Sequence, residues 1–183
     1  MKPATTKAAA AAIKRHFNQT APEHKPEYMG QYKTETERGP VWSYFCGFSI
    51  ITSPDPLPEL PILETGPQAD PVAYMRKLIE SAGKNWRYSS REYHAPAEPV
   101  TRSALTAWRK AHDAREAYPI PDGDQEIGVN ARYMLDLLTV YPEARIYCAG
   151  PLEPLILADP ETLDPVAAVA PVRLDANRAR ISA

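Results

Sequence analysis

Apolar and polar positions alternate in patterns that divide this chain into elements. In residues 5–18, Thr5 or Thr6 can cap an alanine-rich run in which Ala10, Ile13 and Phe17 recur at i, i+3 and i+7. That spacing predicts a helix with a narrow apolar stripe. A polar loop, 19–27, leads to strand patterns at 28–36, 41–46 and 48–52, with a turn at Arg38-Gly39-Pro40 and Gly47 between the last two. Their aromatic and β-branched content suits strands. Residues 54–71 carry six prolines, which permits at most an edge strand there.

Two more helices follow. Asp70-Pro71 opens one whose apolar face is Met75, Leu78, Ile79 and Ala82, closed by Gly83; the other spans 101–116 with Leu105, Trp108 and Ala111 on one face. Residues 84–99 between them read as a polar and aromatic loop. Asn130 caps a helix over 131–141, with Met134, Leu135, Leu138 and Tyr141 as its apolar face and Arg132, Asp136 and Thr139 as its polar face. Strands are predicted at 145–149, 155–158 and 166–174, with turns at Gly150-Pro151 and Asp159-Pro160 and a frayed tail from Asp175. Helix-then-strands thus occurs twice, in 5–63 and 130–174, which suggests an internal structural repeat.

Composition sharpens this picture. Proline makes up 20 of 183 residues, about twice the usual ~5%, so neither long helices nor central strands can dominate. The net charge of −2 argues against a globally basic nucleic-acid-coating protein but leaves room for a local patch. Such a patch exists: residues 76–115 hold nine basic and four acidic residues, whereas 116–164 hold two basic and ten acidic ones. No stretch approaches a membrane span and no signal peptide is recognised, so the cytoplasm is the expected compartment.

Catalytic and metal chemistry find little footing in the spacing. His16, His24, His94 and His112 lie apart, without a metalloprotease or nucleophile-elbow motif. Cys46 and Cys148 belong to no CxxC or Cys/His cluster and read as small core residues. Asp122-Gly123-Asp124 lacks the oxygen-ligand spacing of a calcium loop and reads as a turn. No enzyme, metal or cofactor is expected.

At residues 126–141 the sequence EIGVNARYMLDLLTVY resembles the last domain of the bacterial DNA polymerase III β subunit, the sliding clamp. The Glu-Ile-hydrophobic-Asn entry, the order Tyr133, Leu135, Asp136, Leu138, and a terminal Pro171-Val172-Arg173-Leu174 all match that pattern. The resemblance implies a single α+β sliding-clamp-like domain of two helix-plus-antiparallel-strands units. Its halves would be residues 1–63 and 119–174, with a helical basic and aromatic insert at 64–118 and a tail at 175–183. A clamp chain carries three such domains and closes a six-domain ring from two chains. This chain would assemble as a six-fold homo-oligomer, pair with another protein, or have abandoned the ring.

The same resemblance implies a peptide groove walled by Val169, Pro171, Val172 and Leu174, with a DNA polymerase or other replication protein as partner. For nucleic acid the candidates are Lys84, Arg87, Arg91, Arg109 and Lys110 with Trp86, since interleaved basic and aromatic residues suit single strands. The same interleaving equally suits a helix pair packed on its parent domain with its arginines in water. The expected function is a non-enzymatic clamp-like accessory of DNA replication or repair, borne by a phage or mobile element and binding DNA weakly at best. The alternative is a protein–protein interaction module that keeps the fold but has lost the ring and DNA binding.

Overall fold

Among the described residues, three complete helices, each capped by the residue type its sequence offers, set the layout. The computed structural model describes residues 1–18, 30–36, 39–45, 49–57, 60–64, 73, 75–77, 92–113 and 116–174. Helix α1 spans Lys7–Asn18, and the Thr6 hydroxyl accepts from the Ala9 amide at 3.1 Å. Helix α2 spans Arg102–Ala111 behind Thr101, which accepts from Ala104. Helix α3 spans Ala131–Val140, where Asn130 accepts from both Arg132 and Tyr133. These side chains satisfy amides that a helix start leaves open. No helix among the described residues is long and apolar enough to cross a membrane.

The strands are β1 Gln31–Thr36, β2 Gly39–Phe45, β3 Ser49–Ser53, β4 Tyr118–Asp122, β5 Gln125–Val129, β6 Arg145–Tyr147, β7 Leu155–Ala158 and β8 Pro165–Val169. β4 and β5 form a separate hairpin; the other six make one sheet in the order β1-β2-β3-β8-β7-β6. Every pairing in it is antiparallel. The molecule is therefore α+β, and its sheet consists of two three-stranded units, each preceded by a helix, joined at β3 and β8. The repeat suggested by the sequence is present as this arrangement.

Alternation along the strands sorts side chains onto two faces. Tyr44, Ile51, Ala167, Leu157 and Ile146 are successive neighbours across five strands and belong to the main core beneath the helices. The next row, Phe45, Ile50, Ala168, Ile156 and Tyr147, lies on the opposite face, where Met75 and Tyr93 pack on it. Covered on both sides, β3, β7 and β8 are buried along their full lengths.

This packing revises the place of the segment read as an insert. Leu105 of α2 is fully buried in the main core with Met134 and Leu138 of α3, and Met75 is fully buried on the second face. Arg76 pairs with Asp164 at 2.6 Å, and Tyr93 donates its hydroxyl to the Pro154 carbonyl at 2.7 Å. Through Leu105, Met75 and Tyr93, the described residues of 64–118 thus supply core on both faces instead of standing outside the sheet. Most of the helix expected from Asp70-Pro71 to Gly83, the Gly47 turn and the tail from Asp175 lie outside the described residues.

Two element readings also change. The last strand ends at Val169, not Leu174. Beyond it the chain crosses to β5, where the Val172 amide donates to the Gly128 carbonyl at 2.8 Å. A Cβ at Gly128 would lie 2.2 Å from the Val172 carbonyl oxygen, so the crossing requires glycine. On α3, Asp136 is buried and Leu135 only half-buried, the reverse of the expected faces. The reason is α1, which packs along the Asp136 side.

Candidate functional site

α3 lies between α1 and α2, and the three helices form one layer over the sheet. On the α1 side, Arg15 of α1 reaches the Asp136 carboxylate at 2.5 Å, with its own side chain 46% exposed and that of Asp136 2% exposed. His16 is buried beside them, hydrogen-bonded through Nε2 to the Ser49 hydroxyl of β3, with Nδ1 4.0 Å from the second Asp136 oxygen. Its ring packs against Tyr133, centroids 5.1 Å apart. Farther along, the Tyr141 hydroxyl donates to the Thr52 carbonyl, and burial pushes its phenol well above the ordinary value. These contacts lock the two helices to the sheet centre.

On the α2 side, Leu105 and Trp108 face inward. The Trp108 ring stacks on His112 at 3.6 Å and meets the edge of Tyr118 at 5.5 Å, so this aromatic, read from the sequence as part of the helix's apolar face, is committed to packing. Burial, helped by the Glu98 charge, raises the Tyr118 phenol above its usual value. The outer surface of the layer carries Lys7 and Lys14 of α1, Arg102, Arg109 and Lys110 of α2, and Arg132 of α3, all exposed. The three helices contain one acid, Asp136, which is buried against Arg15.

Of the nucleic-acid candidates, Arg109 and Lys110 thus stand side by side on the exposed end of α2. Lys84, Trp86, Arg87 and Arg91 lie outside the described residues. The groove candidates do not share one strand. Val169 is buried within the sheet opposite Ser49 and Leu155. Pro171 and Leu174 are half-buried and Val172 is 38% exposed. Pro171 has no amide to extend the ladder, and the chain turns toward Gly128 instead.

A third grouping brings together residues that the sequence keeps apart. His94 lies in the middle segment, residues 64–118, Asp122 ends β4, and Cys148 immediately follows β6. The backbones of His94 and Cys148 exchange two hydrogen bonds of 2.9 Å. This places the imidazole Nε2 2.6 Å from Asp122 Oδ1 and 3.9 Å from Cys148 Sγ. Asp122 and Cys148 are buried, whereas the His94 side chain is 43% exposed. The turn reading of Asp122-Gly123-Asp124 holds, with Gly123 at φ +63° in the β4–β5 hairpin. An open cleft lined by Glu92, Tyr93, His94, Ala95, Asp122 and Asp124 runs past the group. No spacing motif could reveal it, because the contacts span 28 and 54 residues.

No protein-family model matches the chain, and no curated protein matches it. Among solved structures it is similar to the C. crescentus beta sliding clamp, at 16% identity and a TM-score of 0.43. That match covers 90% of this chain and 64% of the clamp chain.

Proposed function

We propose that the chain is a non-enzymatic, clamp-like accessory protein of DNA replication or repair that contacts nucleic-acid phosphates through its helical layer. The observation that carries this reading is the sorting of charge by layer. The helices expose Lys7, Lys14, Arg102, Arg109, Lys110 and Arg132, and their single acid is buried. The whole chain is nonetheless −2, so its negative charge resides on strands and loops. A cationic face on a net acidic molecule orients its approach to a polyanion. The resemblance of residues 126–174 to a clamp domain supplies the replication setting.

The test is fluorescence anisotropy with single- and double-stranded oligonucleotides at low and physiological salt. Reversing Arg102, Arg109 and Lys110 to Glu should abolish binding. The log–log salt slope of the unaltered chain should be about −0.7 to −0.9 per phosphate neutralised. Absence of binding by a folded protein even at ~50 mM salt excludes the phosphate-contact reading. The protein-interaction module then takes its place. That second reading is favoured by Pro171-Val172-Arg173-Leu174, whose Val172 is exposed beside a backbone pinned at Gly128; a DNA polymerase or other replication protein is its expected partner.

A further inference from the structure

We propose that His94, Asp122 and Cys148 form a three-ligand site for a divalent transition metal of the zinc class. The argument starts with the imidazole. His94 Nδ1 lies 2.9 Å from the Glu92 carbonyl oxygen. A carbonyl can only accept, so Nδ1 carries the hydrogen. In the neutral ring, Nε2 then directs a lone pair toward the Asp122 carboxylate 2.6 Å away, with Cys148 Sγ at 3.9 Å. Such facing acceptors require a proton or a cation between them. A proton on Nε2 serves the carboxylate and leaves the Cys148 thiol to donate to the His94 carbonyl oxygen 3.6 Å away, whereas a metal ion draws on all three donors.

The surroundings fit the ion. A metal-bound histidine characteristically gives its other N–H to a carbonyl or carboxylate, which fixes the ring and its tautomer, and Glu92 does so here. Imidazole nitrogen, thiolate sulfur and carboxylate oxygen form a donor set suited to zinc. The three donor atoms all lie within 4.8 Å of one another, a span that bonds of about 2.0–2.3 Å to a common centre can close with small side-chain movements. On loading, the Cys148 thiol releases its proton to solvent, and His94 binds as the neutral ring. The half-exposed His94 and the adjoining cleft give the ion an entry path and leave its fourth position to water. The ion would clip the middle segment, the β4–β5 hairpin and the β6 edge together. The site is independent of the phosphate-contact reading.

The test uses the untagged full chain, stripped with a chelator and titrated with Co²⁺, then with Zn²⁺. The expected result is one equivalent of bound Co²⁺ with a thiolate-to-metal charge-transfer band and the strong visible absorption of a four-coordinate ion. Zn²⁺ should displace the cobalt and raise the melting temperature. Cys148→Ser should abolish the charge-transfer band, His94→Gln and Asp122→Asn should weaken binding by at least about 10-fold, and Cys46→Ser should change nothing. Near-ultraviolet circular dichroism verifies the fold of each variant. X-ray absorption at the zinc edge of the unaltered chain, expected to show one sulfur among nitrogen and oxygen ligands, tests the site without any variant. The proposal is overturned if the folded chain gives neither band nor thermal shift in excess metal, if the sulfur ligand is absent, or if binding survives Cys148→Ser and is lost in Cys46→Ser.

Discussion

Asp136 shows how a residue's role depends on what packs beside it. Its position on a helical wheel suggests a solvated face, yet its carboxylate is 2% exposed and held by Arg15 from a helix 121 residues away in sequence. Arg15→Ala would leave a buried carboxylate without its guanidinium. Because Arg15 is itself half in water, the expected loss is about 1–3 kcal/mol, below that of a fully buried pair. Urea unfolding should show a lower midpoint at unchanged slope. Tyr141→Phe removes a buried donor from the Thr52 carbonyl and should cost about 1–2 kcal/mol by the same measurement. The caps at Thr6 and Asn130 were legible in the sequence because capping is local. The His94, Asp122 and Cys148 group was not, since strand pairing and a hairpin assemble it.

At the scale of elements, short-range patterns located α1, α3 and strands β1–β3, β6 and β7 closely but predicted no strand where the β4–β5 hairpin forms. They could not show which faces would be covered. Leu105 illustrates this: its stripe predicted a helix, but only the packing against α3 places that helix in the main core. Leu105→Ala should therefore cost about 2–5 kcal/mol. Deleting residues 64–118 should leave a soluble chain that binds ANS and lacks near-ultraviolet dichroism, because the deletion uncovers α3 and the Ile50, Ile156 and Ala168 face together. A cooperative, native-like unfolding transition in that deletion variant would restore the view of an independent insert. The end of β8 was also misjudged, since Pro171 stops the ladder while the apolar pattern runs on. Gly128→Ala should detach the crossing chain, for the new methyl would meet backbone and not a flexible side chain. The expected destabilisation is about 1–3 kcal/mol, with faster proteolysis after Val169.

For the whole molecule, the question is whether the sheet can continue into another copy. A ring built edge to edge needs open backbone on β1 and β6, the outer strands. At β6, Cys148 already exchanges both backbone hydrogen bonds with His94. At β1, the Gln31 amide and carbonyl are taken by Pro61 and Leu63. By the two-residue period, Lys33 and Glu35 present the remaining outward groups of β1, and their side chains pair at 2.7 Å in solvent. Covered ends and charged residues are how proteins blunt sheet edges against pairing. A third feature points the same way: the exposed basic residues of the helices lie on the helical layer and not at a sheet edge, so the proposed phosphate contact would need no second copy. Light scattering coupled to size exclusion should therefore give a monomer, both alone and at low salt with oligonucleotide added. Lys33→Val with Glu35→Val should promote self-association by removing the charge at β1. A six-fold assembly of the unaltered chain would mean that these edge contacts yield on association and that strands β1 and β6 pair across copies in spite of them.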